Sequence, residues 1–179
     1  MKHIMTVALM ACVAVCVVPG LAVAADLLTN GDMEIDAGWQ DWGVPAVNAL
    51  STDYVHGGTY SRKVQSNTAG VGVRAVSFTV SDGAIFNISL WIYSIDGHAL
   101  TVSAKDGDWV QLILDNITPP VGVWTEYTYS NVTISPTGGG SQATLGVYLN
   151  GAGTSTWYMD DAAWLEAAIA PSGSEIILK

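Results

Sequence analysis

Reactive side chains are sparse in this chain, and their spacing decides what chemistry they could do. His56 and His98 sit in separate glycine-flanked turns, and neither has a Ser, Cys or Glu at a spacing that would make a triad or a zinc site. Sugar-cleaving chemistry needs two carboxylates facing each other across a cleft. Asp160 and Asp161 are adjacent on a predicted strand, where neighbouring side chains point to opposite faces, so they do not make that pair. Asp106 and Asp108 share a face but lie in the turn Asp106-Gly107-Asp108, where acids are ordinarily solvated. The chain therefore reads as non-catalytic. Glu34 stands apart: it emerges just after the turn signal Asn30-Gly31 with no basic residue near it in sequence.

The aromatic residues carry more information. Seven tryptophans exceed what a core of this size needs. Trp91 and Tyr93 fall on the face opposite Phe86, Ile88, Leu90 and Ile92. Trp109 and Gln111 alternate against Val110, Leu112 and Leu114, and Tyr148 alternates against Leu145, Val147 and Leu149. Three strands thus offer rings on a non-core face, and rings left in water imply a ligand or partner. Flat apolar rings among Asn, Gln and Ser suit sugars, whose C–H faces stack while their hydroxyls hydrogen-bond. The expected binding set is Trp91, Tyr93, Trp109, Gln111 and Tyr148, whereas Trp39, Trp124 and Trp164 lie near strand ends and are assigned to packing.

The elements that must position these groups are short strands separated by Gly, Asn, Asp and Pro clusters. Strands are expected at 60–64, 71–80, 86–94, 100–104, 109–114, 124–132, 145–149 and 156–165, with flexible glycines at Gly138-Gly139-Gly140. No helix longer than about two turns is evident and no repeat is visible. Eight or more strands without helical crossovers predict an all-β fold, an antiparallel two-sheet β-sandwich.

Composition narrows the partners. Lys2 and His3 followed by an apolar run to Val18, the break Pro19-Gly20 and the small-residue pattern Ala22-Val23-Ala24 read as a signal peptide over residues 1–25, cleaved near Ala24, and hence as secretion. A lipid anchor through Cys12 would leave a very short apolar region. Cys12 and Cys16 both lie in the leader, so no disulfide or thiol chemistry is expected in the mature domain. Six Lys and Arg against sixteen Asp and Glu, a formal net charge of −10, argue against nucleic acid or an anionic membrane as partner. The domain is placed at 26–166, and 167–179, with Pro171-Ser172-Gly173, reads as a tail or linker.

Five segments, in order and correctly spaced, carry a resemblance: Leu27-Leu28-Thr29-Asn30-Gly31-Asp32-Met33-Glu34 with Gly38-Trp39; Val55-His56-Gly57-Gly58-Thr59-Tyr60-Ser61; Ile88-Ser89-Leu90-Trp91-Ile92-Tyr93; Trp124-Thr125-Glu126-Tyr127; and Trp157-Tyr158-Met159-Asp160-Asp161-Ala162. Together they resemble the carbohydrate-binding modules of families four, nine, sixteen and twenty-two over residues 26 to about 166. The resemblance implies a galactose-binding-like jelly roll that binds β-glucans or xylans on an aromatic-lined concave sheet, with a structural calcium ion where the first and last strands meet. Carried over, the ligands would be the Asp32 and Gly58 carbonyls and the Glu34 and Asp160 carboxylates, an all-oxygen set that calcium accepts. Strand parity puts Tyr158, Asp160 and Ala162 on one face, the one the family turns inward.

Three positions depart from the family pattern. Met33 stands for an aromatic, Arg62 for an apolar residue between Tyr60 and Val64, and Ala162 for a larger aliphatic. The combined expectation is a secreted, non-catalytic module that binds a neutral polysaccharide and holds calcium. The alternative is a structural or adhesive sandwich whose aromatic face docks a protein.

Overall fold

Phe86, Ile88, Leu90 and Ile92 are buried while the residues between them are half-buried or exposed, the period-two pattern of a strand with one face on a core. The computed structural model describes residues 24–107, 109–134 and 142–167. Among them are eleven strands: β1 Trp39–Trp42, β2 Val47–Ser51, β3 Ser61–Ser66, β4 Gly72–Ala75, β5 Phe78–Thr79, β6 Ile85–Ser94, β7 Leu100–Asp106, β8 Gln111–Ile117, β9 Thr125–Thr133, β10 Gln142–Leu149 and β11 Ser155–Glu166. They form two antiparallel sheets stacked as a jelly-roll sandwich. The six-stranded sheet runs β1-β4-β10-β7-β8 with β5 beside β10, and the five-stranded sheet runs β2-β3-β11-β6-β9. Val73, Val102, Leu145 and Val147 from the first sheet meet Val64, Leu90, Ile92, Trp157 and Trp164 from the second in one core. No described helix is long and apolar enough to cross a membrane. The expected leader, apart from its last two residues, the glycine run 138–140, Asp108 and all but the first residue of the expected tail lie outside the described residues.

Strands β1 and β2 were not expected from sequence. Each is the terminal strand of its sheet. Paired on one side only, such a strand needs no strict apolar alternation, and Val47-Asn48-Ala49-Leu50-Ser51 shows none. The expected strand over 71–80 is two, because Val76 turns outward between β4 and β5. The alternation read for Trp109 to Leu114 also fails. A bulge sets Lys105 opposite Gln111 but Ala104 opposite Ile113, so Ile113 enters the core while Val110 and Leu114 are exposed.

Arg62 keeps its inward register and is 3% exposed. Its guanidinium donates to Asn48 Oδ1 and Asp36 Oδ1 and approaches the Trp39 carbonyl, so a position that is usually apolar is filled by a satisfied cation that fastens β1 and β2 to β3.

The Asn30-Gly31 turn seats the N-terminal segment on the last strand. Asn30, at φ 56°, donates through Nδ2 to the Ile35 and Ala37 carbonyls, accepts the Ile35 amide on Oδ1, and offers its own carbonyl to the Trp39 indole. Leu27 N–H bonds to the Trp164 carbonyl, and Ala162 N–H to the Gly31 carbonyl at 2.8 Å. A Cβ on Gly31 would lie 2.0 Å from the Ala162 carbonyl oxygen, an approach only glycine permits. Gly31→Ala should therefore lower stability by about 2 kcal/mol, read as a fall in the midpoint of thermal unfolding; an unchanged midpoint would show that the turn is not seated on β11.

Candidate functional site

The two sheets carry separate aromatic clusters on their outer faces, and the residues expected to form one binding set are divided between them. On the five-stranded sheet, Trp91 and Tyr93 of β6 point outward as expected. They are roofed by the loop between β2 and β3. His56 stacks on Trp91 with ring centres 3.9 Å apart, and Tyr54 stacks on Tyr93 at 4.4 Å. Tyr158 closes the cluster from β11, 5.0 Å from Tyr54, and Trp124 packs edge-on to His56 at 5.5 Å and tilted against Tyr93. Tyr158 is thereby buried although it faces away from the sandwich core. The outward faces of Trp91 and Tyr93 are thus stacked against His56 and Tyr54, which themselves stay exposed at the surface of the roof.

Two carboxylates hold the roof in place. Asp160 is fully buried and accepts the His56 and Gly57 amides on Oδ2, at 2.9 and 3.1 Å, and the Asp161 amide on Oδ1. Glu34 Oε1 accepts the Thr59 and Tyr60 amides, and a Cβ on Gly58, at φ 66°, would strike that same oxygen. The expectation that Asp160 and Asp161 point to opposite faces is overturned. A bulge between Asp160 and Ala163, with Asp161 at φ 44°, swings Asp161 round so that its carboxylate meets His56 Nδ1 at 2.7 Å. The same bulge breaks the expected parity: Tyr158 and Asp160 face the roof, whereas Ala162 turns into the core.

Electrostatics differ at the two acids. Burial pushes the Asp160 carboxyl above its usual range, against the opposing pull of its backbone donors, so its charge is incompletely compensated. The Thr59 and Tyr60 amides hold the Glu34 carboxyl below the usual range. No described group of three or more His, Cys, Asp or Glu side chains converges as a metal cage. Oxygen donors on either side of one short loop, one of them a buried and under-compensated carboxylate, fit calcium in kind, with backbone carbonyls supplying the balance.

The outer face of the six-stranded sheet is built differently. Gly72 and Gly146 lie on neighbouring strands, and Trp42 of β1 leans across them; a Cβ on Gly146 would come within 2.7 Å of its indole. Tyr148 tilts against Trp42 at 5.3 Å and Trp109 meets it edge-on at 6.1 Å. Trp109 lies in the β7–β8 turn, not on a strand as expected, at φ 63° and 54% exposed. A left-handed backbone is strained for a residue as bulky as tryptophan, and here it sets the ring beside Trp42 while leaving half of it in solvent. Arg74 and Lys105 lie over both indoles, with cation-to-ring distances from 5.2 to 5.9 Å. Gln111 lies at the edge, its amide donating to Ser103 Oγ and to the Ala104 and Ile113 carbonyls. A hollow of about 220 Å³ opens beside Trp109, lined also by Arg74, Ser77, Asp106, Gln142 and Thr144.

Of the expected binding set, the structure puts Trp109, Gln111 and Tyr148 at the six-stranded sheet and Trp91 and Tyr93 on the other, and it brings Trp42, Arg74 and Lys105, outside that set, to the first group. The two cations had a readable signal: each takes the outward parity beside core residues, Arg74 between Val73 and Ala75 and Lys105 after Ala104. Trp124, assigned to strand-end packing, belongs to the roofed cluster.

No protein-family profile and no curated protein sequence matches the chain. Solved structures do. The chain is similar to the family 61 carbohydrate-binding module TmCBM61, solved with β-1,4-galactotriose (TM-score 0.61, 11% identity, 80% of this chain and 100% of that one). It is similar to a family 22 xylan-binding domain from Paenibacillus barcinonensis (TM-score 0.58, 16% identity, 83% and 98%). It is also similar to the family 16 carbohydrate-binding module-2 (TM-score 0.57, 19% identity, 79% and 100%). The fold is that of the carbohydrate-binding-module jelly rolls.

The two clusters should respond differently to truncation. Trp91→Ala removes a ring packed under His56 and should cost about 2–3 kcal/mol of unfolding free energy in denaturant titration, whereas Trp109→Ala should change it by under about 0.5 kcal/mol. Equal losses would contradict the division into a roofed and an open face.

Proposed function

We propose that this jelly roll is a secreted, non-catalytic module that binds a polysaccharide of β-glucan or xylan type on the outer face of its six-stranded sheet. The observation that carries this reading is the cluster of Trp42, Trp109 and Tyr148, in which Trp42 and Tyr148 are half-buried and Trp109, at positive φ in its turn, is exposed. Pyranose rings of the main chain stack on the indoles, and Gln40 and Asn116, on the same outward parity, stand within the sheet to meet hydroxyls, Asn116 being held by the buried Thr101 hydroxyl at 2.8 Å. The similarity to modules solved as xylan-binding or with a galactotriose supports a glycan ligand. No pair of carboxylates faces across this platform among the described residues, which is why binding rather than hydrolysis is proposed.

A structural calcium ion belongs to the same reading. The Glu34 and Asp160 carboxylates with the Asp32 and Gly58 carbonyls would hold it, and its charge would offset the desolvation of Asp160. It would tighten the join between the first segment, the roof and the last strand, on the sheet opposite the sugar.

In affinity electrophoresis against soluble β-glucans and xylan, the protein should be retarded by at least one polymer. Trp109→Ala or Trp42→Ala should weaken that retention by roughly thirtyfold in Kd, about 2 kcal/mol, while Trp91→Ala keeps it in the fraction that remains folded. Loss of retention in Trp91→Ala alone would move the site to the other sheet, and retention of a protein but no glycan would favour an adhesive role. EDTA should lower the unfolding temperature, and excess calcium restore it, by mass action on the folded state; superimposable melting curves would remove the metal.

A further inference from the structure

The described residues contain four Lys or Arg side chains, and they are divided by sheet. Arg62 is paired with Asp36 at 2.7 Å, and Lys63 with Asp53 at 2.9 Å, both at β3 of the five-stranded sheet. Arg74 and Lys105 make no salt bridge with any described carboxylate, in a chain with sixteen acids to choose from. They lie instead over the same two indoles, each within 5.9 Å of both ring centres. Two like charges held on one pair of rings repel each other, and the ring quadrupoles offset that only in part. Such a pair is stabilised by an anion between or beside them. Asp106 lines the same hollow, but it is buried and its Oδ1 accepts the Val110 amide at 2.9 Å. The hollow beside Trp109, about 220 Å³, is smaller than a pocket that swallows an oligosaccharide and suits one substituent of a chain lying on the indoles.

We infer that this face selects glycans carrying an anionic substituent, a carboxylate or a sulfate ester, with the uncharged main chain on Trp42 and Trp109 and the anion on Arg74 and Lys105. The inference rests on the proposed glycan face and adds the charge of its ligand. Arg74 presents a planar fork matched to either oxyanion, and Lys105 supplies a compact second charge. The strongly acidic remainder of the molecule repels polyanions at long range, so recognition requires the local pair and does not follow from general attraction.

Isothermal titration calorimetry on three matched pairs tests this: glucuronoxylan and its carboxyl-reduced form, polygalacturonate and its carboxyl-reduced form, and a sulfated galactan and its desulfated form. At least one anionic chain should bind about tenfold more tightly than its neutral counterpart. The combined Arg74→Gln and Lys105→Gln substitutions should abolish that advantage, bringing the ratio of anionic to neutral affinity within each pair to about one. Lys63→Gln, which removes a cation from the opposite sheet, should leave the ratio unchanged. Preference for the sulfated pair or for a carboxylate pair identifies the anion. Equal affinities within every pair, or an anionic preference that survives the double substitution, would overturn the inference while leaving the glycan reading intact. Failure to bind any of the six chains would overturn the inference, and the glycan reading falls with it only if soluble β-glucans and xylan also fail to retard the protein.

Discussion

The carboxylate of Asp160, fully buried and bonded to three backbone amides, is the constraint on which the outer surface of this protein depends. Those amides come from the loop before β3 and from the bulge in β11, and Glu34 grips the next amides of the same loop from the N-terminal segment. Three stretches far apart in sequence are thereby joined at one point. A buried charge is tolerable only when donors converge on it, and here the donors are main-chain groups, so the position of the loop follows from the position of the acid.

Closing that loop has a consequence for the two faces. His56 and Tyr54 ride on it, and once it is clasped they lie flat on Trp91 and Tyr93. The five-stranded sheet then presents a finished layer of rings. The six-stranded sheet has no comparable cover among the described residues, and its centre is made of Gly72 and Gly146, over which one large indole can lie. Aromatic area that a protein covers contributes to its own stability; aromatic area that it strains to keep uncovered contributes to a ligand's. The cations follow the same division, paired with acids on one sheet and set over rings on the other.

Jelly rolls of this kind tolerate very different binding faces because the core is made by the inward parity of both sheets, which the outward residues do not touch. The alignment with modules at 11–19% identity is a statement about the fold alone. The outer faces of this chain carry a histidine used as a roof, a tryptophan in a left-handed turn, and two cations set over rings with no salt bridge to a described carboxylate.

Much of the fold was legible because strand alternation is a local property. The faces of β6 and β10, the core status of Phe86 to Ile92, and the turn at Asn30-Gly31 follow from period two and from the φ preferences of single residues. Joining Glu34 to Asp160 needed a resemblance as well, since 126 positions of chain separate them. The failures share one cause. Bulges at Ala104/Lys105 and Asp160/Ala163 insert a residue and reverse parity, so Leu114 went to the wrong side and Asp161 was sent away from the loop that it touches. Edge strands β1 and β2 carry no alternation to read, and with β1 went Trp42. Parity also tells only that a ring points out of its sheet; it cannot tell which of two sheets the strand joins. Sequence alone thus determined that this is a sandwich with rings to spare, because alternation is written residue by residue. Only the tertiary structure decided which rings are covered and which are offered, because that depends on where a loop held by a distant carboxylate comes to rest.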